Sequence, residues 1–181
     1  ERTTRTRALL FYALAVAAAD ARGASTVRIP ENGFTSINLA LGRDRGGALS
    51  TRSTHPWTLH LVAELMAAVG LSVNFENPYA LITKGQLVKQ AAESCNSFED
   101  GVPTTLSCAK LDGARYKGGN PNLNCGLCVA CLTRRGSMLA AGLDDRSDYL
   151  ATILAGAAKD KLWRQRQGDI QAIRSRPFHD I

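Results

Sequence analysis

Cys108, sixteen intervening residues, and then Cys125-Gly126-Leu127-Cys128-Val129-Ala130-Cys131 form the stretch that decides how this chain is read. Gaps of two residues let neighbouring sulfurs converge on one ion, and a distant fourth thiol closes the shell. Gly126 falls inside the knuckle, where backbone amides must turn towards sulfur and a missing Cβ helps. A shell of Cys108, Cys125, Cys128 and Cys131 around zinc leaves no open position, so the spacing points to a structural site. The competing reading is an iron–sulfur cluster, because ferredoxins also use C-x2-C-x2-C. Their remaining cysteine precedes proline, whereas Cys108 precedes Ala109, and the intervening Lys110–Asn124 segment reads as a polar loop. Zinc is favoured. Cys95 stands outside the set and is read as a free, buried thiol with no basic neighbour in sequence.

With 181 residues, the chain can hold one sizeable domain and a small metal-bound appendix. Five cysteines are an odd count, which argues against a disulfide framework and for a reducing, cytoplasmic setting. The net charge of +6 permits an anionic partner, but the basic residues are scattered, which suits a nucleotide as well as a nucleic acid. Glu1–Arg7 followed by apolar Ala8–Ala19 imitates a secretion signal. The absence of an initiator Met and the thiol-rich site oppose that reading, and a buried helix ending at Gly23 replaces it. The missing Met is also read as the mark of a fragment of a longer protein. No apolar run approaches the ~20 residues of a membrane span, so no membrane partner is expected.

Helical spacing and punctuation place helices over about 4–22, from His55 with Pro56 in its first turn to Gly70, from a Thr83–Gln86 capping box to about Cys95, over 132–141, and over 146–166. Short β-branched stretches at Ser25–Ile29 and Ser72–Phe75 read as strands. Helix, strand, helix, strand, helix is the order of a parallel α/β sheet with flanking helices. The expected organisation is an α/β part over residues 1–104, a metal segment over 105–135 and C-terminal helices over 136–181.

Open α/β sheets bind ligands beyond the carboxyl ends of their strands. Three loops are expected there: Glu31-Asn32-Gly33 with Asn38, the Ser50–Pro56 stretch carrying Arg52, Thr54 and His55, and Glu76–Tyr79 leading to Thr83-Lys84. The second ends at a helix N-terminus, whose unpaired amides favour an anion. Glu31 and Thr83 acting merely as caps, with Arg52 solvated, is the competing reading for each residue taken singly. Gly46–Thr51 imitates a pyrophosphate-cradling S-G-G-x-D-S loop, but Arg45 and Leu49 hold its serine and aspartate positions, so it is read as a decoy.

The basic start to a helix, the acidic loop after a strand, the Thr-Lys helix opening and the cysteine pattern followed by Leu132-Thr133-Arg134-Arg135 together resemble the C-terminal part of 7-cyano-7-deazaguanine synthase, over about residues 2–142. The wording of Glu31-Asn32-Gly33 and Ser50–Pro56 is more similar to divergent relatives, including those of bacterial antiphage operons. The resemblance implies a PP-loop (adenine nucleotide alpha-hydrolase-like) α/β fold with structural zinc. It also implies an ATP- and Mg-dependent ligase that adenylates the carboxylate of a deazaguanine-like molecule and then adds nitrogen. On that basis Glu31, Asn32, Arg52, Thr54 and His55 would face the substrate, Arg5 and Arg7 would approach ATP phosphates, and the four cysteines would hold zinc. The family's pyrophosphate loop precedes everything seen here, so the partner implied first is an upstream half of the same protein, without which the chain would be inactive. The rival from another class is a non-catalytic zinc-knuckle module gripping nucleic acid or a protein partner, with Arg134-Arg135 beside the knuckle. Only 6% aromatic residues speak against single-strand binding.

Overall fold

The computed structural model describes residues 7–37, 53–110, 116, 120 and 122–174. They fall into two units, one spanning 7–37 and 53–84 and the other lying within 85–174. Both are rich in helix, and the first carries a small parallel sheet. Among the described residues no helix is long and apolar enough to cross a membrane.

The first unit is built on two strands. β1 (Thr26–Arg28) pairs in parallel with β2 (Asn74–Glu76), aligning Thr26 with Asn74, Val27 with Phe75 and Arg28 with Glu76. β2 therefore begins two residues later than the expected Ser72. The pleat sends alternate side chains to opposite faces. Ile29 and Phe75 pack with Tyr12 of α1 (Arg7–Ala21) and with Leu59 and Val62 of α3 (Pro56–Ala68), while Arg28 and Glu76 form an exposed ion pair at 3.1 Å. The helix ends follow the sequence signals. Gly23 adopts φ +64° behind α1, and His55 caps α3 by accepting the Trp57 amide proton on Nδ1 at 3.2 Å. Apolar residues encircle α1, yet only the stripe of Tyr12, Val16 and Ala19 is buried. Phe11 and Leu14 are 58% and 59% exposed, and Trp57 and Val69 at the two ends of α3 stand out as far.

Behind β1, Asn32 caps the short α2 (Gly33–Ile37) by accepting the Thr35 amide proton at 3.1 Å. The loop after β2 is tied to it. The Gly33 amide donates to the Ile82 carbonyl at 3.1 Å, and Asn77 donates to the Ser36 hydroxyl at 3.1 Å. A Cβ on Gly33 would run into the Ala80 carbonyl oxygen, so the approach of the two loops depends on glycine there.

The second unit takes in α4 (Lys84–Ser94) from Gly85 onwards, followed by α5 (Phe98–Gly101) and one 3-10 turn (Val102–Thr104). An irregular arm then leads to Cys108. α6 (Val129–Ala141) begins directly after Cys128 and stops at Gly142, whose φ of +72° lets the Leu143 amide reach back to the Met138 carbonyl at 3.0 Å. The helix expected over 146–166 does not form as one element. Backbone around Tyr149 instead pairs with the knuckle, as the Leu150 and Ala151 amides donate to the Asn124 and Cys125 carbonyls at 2.9 and 3.2 Å. Tertiary hydrogen bonds thus override local helix propensity. What remains is the single turn α7 (Leu150–Ile153) and α8 (Gly156–Arg174), which takes in much of the expected peripheral tail. Leu150 and Leu162 are fully buried with the four knuckle and arm cysteines in one core. Cys95 is exposed, against expectation, because it follows the last residue of α4 rather than lying within a packed face.

Gly33→Ala should destabilise the protein by about 1–3 kcal/mol, the scale of overpacking into backbone. Urea unfolding of the variant against the parent checks it, with Gly101→Ala as a control where an added Cβ meets nothing.

Candidate metal centre

The four sulfurs of Cys108, Cys125, Cys128 and Cys131 lie within 4.8 Å of one another, and all four residues are buried. The Cys108–Cys128 and Cys125–Cys131 sulfur pairs are 3.9 and 3.8 Å apart. These separations are far beyond a disulfide bond, and the cysteines are free. They match a tetrahedron's edge instead: ligand bonds of about 2.3 Å put sulfurs roughly 3.8 Å apart. The set could hold a single metal ion. A multinuclear cluster spreads its cysteines over several irons and needs a wider cage than this.

Local structure explains the convergence. Gly126, at φ +85°, turns the knuckle, and its α-carbon faces Tyr149 and Ala151 so closely that a Cβ would lie 3.1–3.2 Å from their side chains. The turn aims backbone donors at sulfur: the Cys128 amide at Cys125 Sγ (3.3 Å) and the Cys125 amide at Cys108 Sγ (3.4 Å). Cys131 sits in the first turn of α6, where the helix dipole favours negative charge. The thiols share protons unevenly. Hydrogen bonds from the Cys128 and Cys131 side chains pull the Cys125 thiol far below its ordinary range. Burial pushes Cys108 up to about 11, and the hydrogen bond to Cys125 raises Cys131 further still.

Around the sulfurs lies a buried polar frame that the sequence does not reveal. Arg134, which the rival reading sets beside the knuckle to grip nucleic acid or a protein, is 9% exposed and donates to Val102 O and Ser147 Oγ at 2.6 and 2.7 Å. Asp145 lies 3.8 Å from its Nε. Burial works to raise the Asp145 carboxyl, but hydrogen bonds from Tyr149 and Ser147 and the Arg134 charge outweigh it and hold the group below the usual carboxylate range. Arg135 stands 5.3 Å from the centre of the Tyr149 ring in a cation–π contact.

The other candidates belong to the first unit. Asn32 is 1% exposed; besides capping α2 it donates to Glu31 Oε1 at 3.1 Å. Thr54 and His55 are half-buried at the start of α3, where His55 caps the helix. The structure also points to Tyr12, for which the sequence gives no sign. Its hydroxyl donates to the Ser53 carbonyl at 2.5 Å, and its pKa is raised by burial first and by the Glu31 carboxylate second. Tyr12 therefore joins the neighbourhood of Glu31 to the segment leading into His55. An aromatic residue on an apolar helix carries no sequence signal for this role. Arg7 is exposed on the first turn of α1. Arg5, Asn38, Arg52 and the glycine-rich 46–51 stretch lie outside the described residues.

Cys128→Ser should abolish stoichiometric metal binding and loosen residues 105–135, measured by elemental analysis and hydrogen exchange, because a structural metal supplies folding free energy. Metal uptake at neutral pH should release protons, since Cys108 at about 11 and the raised Cys131 are protonated beforehand. Affinity should accordingly rise with pH and fall as acid competes for the thiolates, which calorimetry in buffers of different ionisation enthalpy can read. Retention of metal by the serine variant, or uptake without proton release, would contradict the site. No protein-family model, curated protein or solved structure matches the chain, so the cysteine geometry and the loop network carry the functional reading.

Proposed function

We propose that this chain is the C-terminal part of an ATP-dependent carbon–nitrogen ligase similar to 7-cyano-7-deazaguanine synthase, held together by one structural zinc. The observation that carries the reading is the four-sulfur set, all within 4.8 Å, whose cysteine order resembles that of the family's C-terminal region. Zinc fits the set because it accepts four thiolates in a tetrahedron, and the buried, closed shell suits a structural rather than a catalytic ion. When bound, it supplies folding free energy and takes no part in the reaction.

The first unit supports the rest of the reading. Two three-residue parallel strands are too small a sheet to stand alone, because parallel sheets are normally larger and covered on both faces. The bare apolar residues Leu10, Phe11, Leu14, Leu61 and Leu65 fit helices made to pack against more chain. An upstream half carrying the ATP site and its Mg would supply it. Glu31, oriented by Asn32, would accept hydrogen bonds from the amino edge of a deazaguanine-like substrate, with Thr54 and His55 at the start of α3 and Arg52 just before them in sequence. Arg7, in the first turn of α1, and Arg5, two residues earlier in sequence, would approach the phosphates. Adenylation then requires positioning and charge neutralisation rather than a nucleophilic side chain. Service in antiphage defence is part of the same proposal, from the wording of the two loops. The rival reading is a nucleic-acid or protein-binding zinc module; Arg134 is buried and would contribute little to it, whereas Arg135 is exposed beside Tyr149.

The test uses the longer protein containing this chain. ATP–pyrophosphate exchange should depend on added 7-carboxy-7-deazaguanine or a related carboxylate, and Glu31→Gln should lower it about tenfold or more, the scale of a lost charged hydrogen bond, with unfolding unchanged. Exchange with no carboxylate dependence, or none at all beside tight nucleic-acid binding, would favour the rival.

A further inference from the structure

The knuckle brings three thiols by itself, from one turn and the helix that follows it. The fourth, Cys108, comes from the arm between the 3-10 turn and the polar loop, which has no helix or strand to hold it. Something other than secondary structure must fix where that arm ends. Two buried side chains next to the knuckle do so. Asn124, immediately before Cys125 and 4% exposed, accepts the Ser107 amide proton on Oδ1 at 3.0 Å and donates from Nδ2 to the Thr105 carbonyl at 3.4 Å. Arg134, three residues after Cys131, grips the same arm from the other side. Its Nη1 donates to Thr105 Oγ1 at 2.6 Å and to Ser107 Oγ at 3.2 Å, and its Nη2 donates to the Val102 carbonyl at 2.6 Å. The guanidinium is itself held by Ser147 at 2.7 Å and by the Asp145 carboxylate. Asn124 Oδ1 also accepts from the Cys131 sulfur at 4.0 Å, whereas the arginine's bonds use no sulfur.

We propose that Asn124 and Arg134 are positioning residues for the metal: they dock the Val102–Cys108 arm and so set the coordination number of the site. The inference rests on the metal-binding reading of the four cysteines. Its chemical consequence is specific. With the arm docked, four thiolates close the shell. With it released, three remain and a solvent molecule takes the fourth place, which converts a closed structural site into an open one. The planar fork of arginine suits the task because it reaches acceptors on three residues of the arm, Val102, Thr105 and Ser107, at fixed angles, which the single ammonium of lysine cannot reproduce. Outer partners of this kind orient metal ligands, and their loss weakens metal binding about 10–100-fold.

Cobalt(II) titration of the full chain, followed by absorption spectroscopy, tests this. The parent should show tetrahedral ligand-field bands with the charge-transfer intensity of four thiolates, and Cys108→Ser should show the pattern of three. Arg134→Lys and Thr105→Val should move towards the Cys108→Ser spectrum and bind cobalt about 10–100-fold more weakly. Thr105→Val is nearly isosteric and removes only a hydroxyl, so it decides the matter should Arg134→Lys fail to fold by circular dichroism. A parent-like spectrum and affinity in Thr105→Val and in any folded Arg134→Lys would overturn the proposal, even with a lower melting temperature, since that outcome assigns the bracket to stability alone. A parent chain that binds no cobalt would overturn it differently, by removing the metal reading beneath it.

Discussion

Four thiols drawn into one buried tetrahedron are the constraint on which the second unit depends. Cys108, Cys125, Cys128 and Cys131 are not appended to a core; together with Tyr149, Leu150 and Leu162 they are the core. Protonated thiols at this distance compete for hydrogen bonds with one another, which is why their titrations are driven so far apart. An ion held by the four thiolates would remove that competition and join the arm, the knuckle and α6. The same requirement explains the failure of the long helix expected after Arg146. The knuckle needs its carbonyls paired, and the amides of Leu150 and Ala151 meet that need at the expense of helical continuity.

The first unit obeys a different logic. Its small sheet is held by one apolar cluster around Tyr12, Leu59 and Val62, and by loops that hydrogen-bond to each other beyond the strand ends. Much of its apolar surface has no cover. The polar residues concentrate where the chain leaves β1 and enters α3, and Tyr12 binds that region from beneath through Ser53. A carboxylate at Glu31 steadied by a buried asparagine is an arrangement suited to fixing a ligand's orientation.

How much of this can be read from sequence follows from the range of each signal. Metal-ligand spacing is local and chemically narrow, so all four cysteines are legible in the sequence alone. Helix ends at Gly23 and Gly142 are legible because a positive φ favours glycine. The parallel pairing of β1 with β2 follows from element order. The burial of Arg134 does not: beside Arg135 it reads as a basic surface doublet, and only the distant Val102, Thr105 and Ser147 give it buried acceptors. Tyr12 is silent in sequence for the same reason, as its partner lies forty-one residues away. The cap that Asn32 places on α2 and its bond to Glu31 are likewise out of reach of periodicity. Polar residues with long-range partners carry no periodicity, and their roles appear only once the fold brings the partners in.

The central claim is that one ion is bound by four thiolates and nothing else. X-ray absorption at the metal edge of the protein as isolated measures this directly. The expected result is a zinc edge with a single shell of four sulfurs at about 2.3 Å. An iron edge with a second iron scatterer, or a zinc shell mixing sulfur with nitrogen or oxygen, would contradict it.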